Sequence, residues 1–375
     1  MDFTYSEEQQ MMADSLRRFV DTEYTFERRR KRSRQGGAFE RAIWSSFGEL
    51  GVLGLTIDAD YGGFGEGAAS RLVVQRELGR RLVLEPVVPC AVVAAAVIGE
   101  FGSDAQKNTW LPAIASGEKI VSVAYLEPDS RYRPDAVKTI AERSGDGYVL
   151  NGQKSLAWHG EVADALLVTA LVGRSGDIGL FIVPRDAKGV AVTGYPTIDG
   201  LRAADLTLDN VTIGADALIC GPADGLDALQ HGIDHGIAAL CAEAAGAMER
   251  LIDITAEYLR TRKQFGLPLG KFQALQHRMA DMLVQKELAL SMAYVAAQAL
   301  DEPDAAQRAR MLSAAKVMVA KAGRYVAQQA VQLHGGMGMT DELEVGDYFK
   351  RLTMFDPLFG DSDYHVARYS DAMAS

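Results

Sequence analysis

Tyr258-Leu259-Arg260-Thr261-Arg262-Lys263-Gln264-Phe265-Gly266 closes one long helical pattern, and Phe272-Gln273 followed by Gln276-His277-Arg278-Met279-Ala280-Asp281 opens another. Taken alone, this is a helix end: basic side chains offset the carbonyl end of the helix dipole, and Gly266 supplies the stop. Outward from it, apolar residues at helical spacing predict helices over 225–262, 272–300 and 304–333. Asp301-Glu302-Pro303 separates the second from the third, and Gly335-Gly336 ends the third. Helices of about 30 residues each span roughly 45 Å. Joined by short loops they predict an antiparallel four-helix bundle, with the fourth helix starting near Glu344 or Asp363.

The middle of the chain has a different texture. Short runs rich in β-formers at 120–125, 139–143, 148–150, 165–171, 179–183, 190–193 and 205–208 are separated by turns such as Ser144-Gly145-Asp146-Gly147 and Asn151-Gly152. No 10–15-residue helical pattern intervenes, so an antiparallel β-barrel or sandwich is expected rather than a parallel βαβ sheet. The first third is helical again. Ser6 with Gln9 fits a capping box before Met12, Leu16, Phe19 and Val20, and further helices are expected at 39–50, 70–78, 89–101 and 104–116. The fold class is therefore α+β and multi-domain: an N-terminal helical domain (1–118), a middle β domain (119–220) and a C-terminal helical bundle (221–375).

Composition narrows the function. The 375 residues carry a net charge of −11, with 48% hydrophobic and 24% charged residues, which excludes bulk disorder and argues against nucleic acid as a partner. Cys90, Cys220 and Cys241 are far apart, which excludes a zinc knuckle and suits a reducing cytoplasm. Met1-Asp2-Phe3-Thr4 has no basic segment leading into an apolar one, and the longest apolar run, 87–98, is too short to span a membrane. Gly63-Phe64-Gly65-Glu66-Gly67-Ala68 satisfies G-x-G-x-x-A, but helical patterns flank it where a dinucleotide site needs strands, so a surface loop is expected. Arg28-Arg29-Arg30-Lys31-Arg32 with Arg34 reads as a solvated helix or loop face, with contact to the phosphates of a nucleotide-bearing substrate as the sharper alternative.

Two segments together are more specific than either alone. The 258–281 stretch and Gln332-Leu333-His334-Gly335-Gly336-Met337-Gly338 resemble the two flavin-nucleotide segments of the acyl-CoA dehydrogenase family. The resemblance extends to Glu127-Pro128 at the start of the β domain, to Asp146-Gly147-Tyr148-Val149-Leu150-Asn151-Gly152-Gln153-Lys154, and to Gly102-Ser103-Asp104 through Gly117-Glu118. It implies FAD held in a cleft between subunits without a Rossmann fold, an acyl-CoA substrate, and an electron-transfer flavoprotein as acceptor. It also implies the reaction: a carboxylate removes the α-proton of the thioester, and the β-hydrogen leaves as hydride to the flavin, giving a 2-enoyl-CoA. In the nucleotide clamp, the resemblance assigns Arg262, Gln264 and Phe265 to a neighbouring subunit's FAD, with Gln332, Gly335 and Gly336 approaching the same nucleotide.

The flavin-ring side departs from that pattern. Leu126 stands where a threonine is expected, and Leu156-Ala157-Trp158-His159-Gly160 places Trp158 at a second flavin-contacting threonine. Phe359 takes the place of the catalytic glutamate, and Asp361 that of the threonine two residues on. The family's alternative base position falls on Gly236 and Ile237, and Glu243 lies about 10 Å farther along the helix. The catalytic base is therefore unassigned, with Asp361 as a fallback. The ending 348–361 and Leu201-Arg202-Ala203-Ala204-Asp205 resemble small subunits of heteromeric acyl-CoA dehydrogenases, such as that of pimeloyl-CoA dehydrogenase, where a large subunit is expected to carry the glutamate. Three readings follow: a small subunit completing a partner's FAD site, a self-sufficient homomer with a displaced base, or a non-enzymatic acyl-CoA-binding or assembly protein. The acyl group stays open among fatty, dicarboxylic and steroid-derived chains, and the assembly between homo- and hetero-oligomer.

Overall fold

Helical segments come first. The computed structural model describes residues 5–35, 37–173, 176–221 and 223–374; the Met1–Thr4 stretch lies outside them. Helix α1 (Glu7–Glu23) begins on the capping box read from the sequence: the Ser6 hydroxyl accepts from the Gln9 amide, and the Gln9 side chain accepts from the Ser6 amide. Then follow α2 (Phe26–Arg34), α3 (Arg41–Glu49) and α4 (Ala68–Arg80). The helix expected over 89–101 is divided. Val87–Ala94 is a π-helical turn, wholly buried, and α5 (Ala95–Phe101) continues it. Pro89, which has no amide hydrogen to give, sits inside that turn, and π turns recur where a helix is deformed for a site. Helix α6 (Asp104–Ala115) leads into the sheet.

The β domain holds β1 (Val121–Ala124), β2 (Ile140–Ser144), β3 (Gly147–Trp158), β4 (Ala165–Val172), β5 (Asp177–Pro184), β6 (Val190–Pro196), β7 (Arg202–Gly214) and β8 (Leu218–Cys220). Their order is β6-β7-β3-β2-β4-β5-β8, with β1 beside β4. The sheet is mixed rather than purely antiparallel, because β4 runs parallel to both β1 and β2. The crossover from β1 to β4 is made by the β2–β3 hairpin instead of a helix, so the missing helical pattern did not exclude parallel pairing. One apolar core joins the first helices to this sheet, with Trp44, Phe47 and Ile114 in the same cluster as Val121, Leu166 and Phe181.

The bundle consists of α7 (Gly225–Thr261), the small hairpin β9 (Lys263–Gln264) and β10 (Leu267–Pro268), α8 (Gln273–Ala299), α9 (Ala305–His334), α10 (Val345–Phe355) and α11 (Ser362–Ala374). Its interior is rich in alanine, including Ala239, Ala242, Ala293, Ala296, Ala315 and Ala327. Such small residues let long helices pack at the near end of the usual 8–10 Å axial separation.

The basic run on α2 is only in part a solvated face: Arg28, Lys31 and Arg34 are exposed, while others of the run are tied into the fold. Arg29 is buried, donating to the Leu82 and Asp199 carbonyls at 2.8 and 2.9 Å and pairing with Asp347 at 3.2 Å. Arg30 and Arg34 both pair with Asp341. Arg29, Arg30 and Arg34 clip the N-terminal helices to the bundle through Asp347 and Asp341, some 300 residues away and beyond the reach of local pattern, whereas Arg28 and Arg32 pair nearer by, with Glu23, Glu40 and Glu85. Among the described residues, no helix is long and apolar enough to cross a membrane.

Candidate active site

Where the β domain meets the π turn and the loop between α10 and α11, a cavity of about 300 Å³ opens. Leu126, Leu156 and Trp158 line it from the β domain, Pro89 and Val93 from the π turn, and Met354, Leu358 and Phe359 from the C-terminal segment. Its polar lining is limited to Arg131, Thr197, Tyr125 and Tyr132; no carboxylate lines it among the described residues. Burial pushes the Tyr125 phenol above its ordinary range, so it stays protonated.

Trp158 is aimed into this space by an irregular strand end. Pairing of β3 with β7 shifts register between Lys154 and Ala157, and Leu156 and His159 take φ of 57° and 51°. Bulges of this kind re-aim side chains next to sites. The Ser122 hydroxyl donates to the Trp158 carbonyl. The indole packs on the Phe359 ring at 5.5 Å between centroids, with the Arg351 guanidinium 5.9 Å from the indole centroid. Beside it, Glu127 is structural. Its buried carboxylate accepts from Lys154 Nζ at 2.7 Å and from the Thr139 amide and hydroxyl, anchoring the chain that carries Leu126.

Phe359 is held with equal care. It has a φ of 56°, a left-handed conformation costly for an aromatic residue. The buried Lys316 ammonium donates to the Asp356 and Gly360 carbonyls at 2.8 and 2.7 Å, and His365 Nε2 meets the Phe359 carbonyl at 3.0 Å. Against α7, the ring occupies the space over Gly236. A β-carbon there would stand 2.6 Å from Phe359 Cε2.

Neither of the two carboxylates considered as a displaced base, Asp361 and Glu243, lines the cavity. Asp361 caps α11, accepting from the Tyr364 amide at 2.9 Å, and it receives the Tyr132 hydroxyl. Glu243 is bound to Arg351 at 2.7 Å, and Arg351 also holds Asp199 at 2.7 Å. His159, beside Trp158, is buried and pushed down to about 4, so it is a neutral ring at pH 7.

The residues that the resemblance assigns to a nucleotide clamp lie elsewhere. Arg262, Gln264 and Phe265 are exposed at the end of α7 and in the β9–β10 hairpin, with Phe265 90% exposed at a φ of 52°. Gln332, Gly335 and Gly336 are at the end of α9, the two glycines exposed. A β-carbon on either glycine would meet nothing within 4 Å, so open space faces that backbone. The two segments share one end of the bundle because Tyr258 stacks on His334 at 4.3 Å and donates to its carbonyl at 3.3 Å. Gly236 and Arg262 are separated by about 26 residues of α7, or about 39 Å at the helical rise. The cavity and these exposed segments are therefore well separated along α7.

Three family profiles match in succession: "Acyl-CoA dehydrogenase, N-terminal domain" over residues 6–118, "middle domain" over 122–211 and "C-terminal domain" over 223–374. FadE12, an acyl-CoA dehydrogenase of Mycobacterium tuberculosis, is 32% identical across 92% of this chain and 90% of its own. The chain belongs to the acyl-CoA dehydrogenase family. Among solved structures, the ChsE4–ChsE5 complex from Mycobacterium tuberculosis superposes with a TM-score of 0.89 at 28% identity, covering 100% of this chain and 99% of that one. A glutaryl-CoA dehydrogenase from Mycobacterium smegmatis in complex with FADH2 gives 0.88 at 26%, covering 98% and 95%. The family is one of flavin-dependent oxidoreductases acting on acyl-CoA thioesters with FAD as cofactor.

The residues present fit only part of that cofactor. Arg262 forms no ion pair among the described residues, and open glycine backbone stands at the same end of the bundle, which suits a pyrophosphate. At the two positions that the resemblance assigns to the flavin-ring side, Leu126 and Trp158 offer apolar surface to the cavity. The cavity wall made by the π turn, Met354 and the Phe359–Trp158 contact was not visible in sequence. Its one advance signal was Pro89 inside an otherwise unbroken apolar run.

Proposed function

We propose that this chain is the small subunit of a heteromeric acyl-CoA dehydrogenase, completing the FAD site of a large partner subunit that carries the proton-abstracting carboxylate. The observation that carries the reading is Phe359: the position expected to hold the base is filled by a ring pressed on Gly236 and Trp158, in a cavity without a lining carboxylate among the described residues. Arg262, Gln264 and Phe265, with Gln332, Gly335 and Gly336, form the clamp offered to the partner's nucleotide. Their separation from this chain's own cavity supports a role in trans. FAD would supply the hydride-accepting chemistry there, while these residues bind and orient it. The exposed face of α8, with Leu283, Val284 and Leu288, offers apolar surface for assembly. The solved relative named as a two-component complex is consistent with pairing. Acyl-CoA is the substrate class, an electron-transfer flavoprotein the acceptor, and the cytoplasm the compartment that suits three free thiols.

The test is turnover of the chain alone and with its partner. With acyl-CoA substrates of fatty and dicarboxylic type and an artificial electron acceptor, the isolated chain should be inactive and poor in FAD, while the co-purified complex should be yellow and active. Turnover by the isolated chain near the usual enzyme median of about 10 per second would overturn the proposal.

A further inference from the structure

A second cavity, of about 550 Å³, lies between the 56–67 loop, the start of α4, α5 and the first turns of α7. It is separate from the site above: His235 lines it, while the next residue, Gly236, faces Phe359. The start of α4 lacks a side-chain cap. Its cap, Gly67, gives no side-chain hydrogen bond, no acidic residue occupies the first turn, and a β-carbon on Gly67 would meet nothing within 4 Å. Uncapped first-turn amides and the positive end of the helix dipole stand at this edge of the cavity, beside the Glu66 carboxylate, which accepts from Ser70 Oγ at 2.7 Å.

Arg71, on the same turn, is 6% exposed and lines the cavity. Its Nη1 has no hydrogen-bond partner, and no carboxylate pairs with it among the described residues. Burial pushes it down to about 10, so it is still a cation at neutral pH. An unpaired buried charge is strongly unfavourable in a fold unless a counter-ion answers it. His235 Nδ1 is likewise buried without a partner, and its ring lies 4.6 Å from that of His231. Desolvation holds both imidazoles below their ordinary range, so they offer hydrogen bonds rather than charge.

We propose that this cavity binds a small, singly charged carboxylate, held by Arg71, the α4 amides and His235. The rim sets the charge limit. Asp58, Asp60, Glu66, Glu100 and Asp301 line the same space against Lys107, so a phosphate or other polyanion is repelled where a monocarboxylate is admitted.

Thermal unfolding and isothermal titration of the full chain test this with sodium acetate and sodium propionate. Sodium phosphate is the comparison arm, and sodium chloride matches ionic strength. The wild type should gain melting temperature saturably with either carboxylate. Arg71→Met should lose at least about tenfold in apparent affinity, yet be no less stable than the wild type without ligand, because it removes an unanswered charge. If Arg71→Met does not fold, His235→Phe carries the same comparison. No response to either carboxylate, an equal response in variant and wild type, or a stronger Arg71-dependent response to phosphate would overturn the proposal.

Discussion

Replacing Arg262 separates a cofactor contact from a helix-end charge. The side chain is exposed at the carbonyl end of α7 and has no ion-pair partner among the described residues. Its removal can therefore cost the fold only the dipole interaction, about 0.3–1 kcal/mol. A forked guanidinium contact to the pyrophosphate of a partner's FAD is worth about 1.5–3 kcal/mol, or roughly a ten- to hundredfold change in affinity. Arg262→Ala should thus barely move the melting temperature of the apo complex while weakening FAD by that factor. Arg262→Lys should recover only part, since an ammonium cannot make two parallel bonds. Flavin fluorescence titration of the co-purified complex, with melting curves of the same samples, gives both quantities. Unchanged FAD affinity alongside a small stability loss would refute the assignment and leave Arg262 as a counter-charge to α7.

Two further substitutions probe buried titratable groups. Burial pushes Lys316 down to about 8, so between pH 8 and its unfolded value near 10.5 the unfolded chain binds more protons and the wild type gains stability as pH rises. Lys316→Met removes that gain, so the difference between wild type and variant in denaturant titrations should shift in favour of the wild type from pH 8 to 10; a pH-independent difference would count against it. Glu85 is buried, with the Arg32 guanidinium 3.9 Å away, and desolvation pushes its carboxyl up to about 8, so its folded form keeps a proton that the unfolded chain releases above about 4.5. Stability falls as pH rises through that window. Glu85→Gln should be more stable than wild type at pH 7 by at least about 1 kcal/mol, since a tenfold difference in proton affinity between folded and unfolded chain corresponds to about 1.4 kcal/mol. A less stable variant at that pH would show Glu85 to be ionised and paired with Arg32.

The long helices were legible because their pattern is local: α7, α8 and α9 end within a residue or two of where Gly, Pro and capping signals place them. The second half of β3 was not, because Asn151-Gly152 reads as a turn, whereas Gly152 sits within the strand at a register shift opposite β7. A strand that bulges keeps its partner but loses its alternation. The substitutions at Leu126, Trp158 and Phe359 were visible as departures from a pattern, but their joint consequence was not. That Phe359 packs at a tilt against Trp158 over Gly236 joins three segments spread over some 200 residues of chain. The fate of Asp361 likewise depended on the start of α11, which puts its carboxylate on a backbone amide.

Helix α7 runs unbroken from beneath Phe359 to the proposed clamp at the far end of the bundle. Under the arrangement proposed above, this gives the enzyme an unusual genetics. A lesion at Arg262 would be recorded as a flavin defect in a polypeptide whose own gene is intact, and supplying more of that polypeptide would not repair it. A lesion at Phe359 would leave the partner's cofactor untouched. Two alleles of the same gene, one damaged at each end of the rod, would then fall into different functional classes.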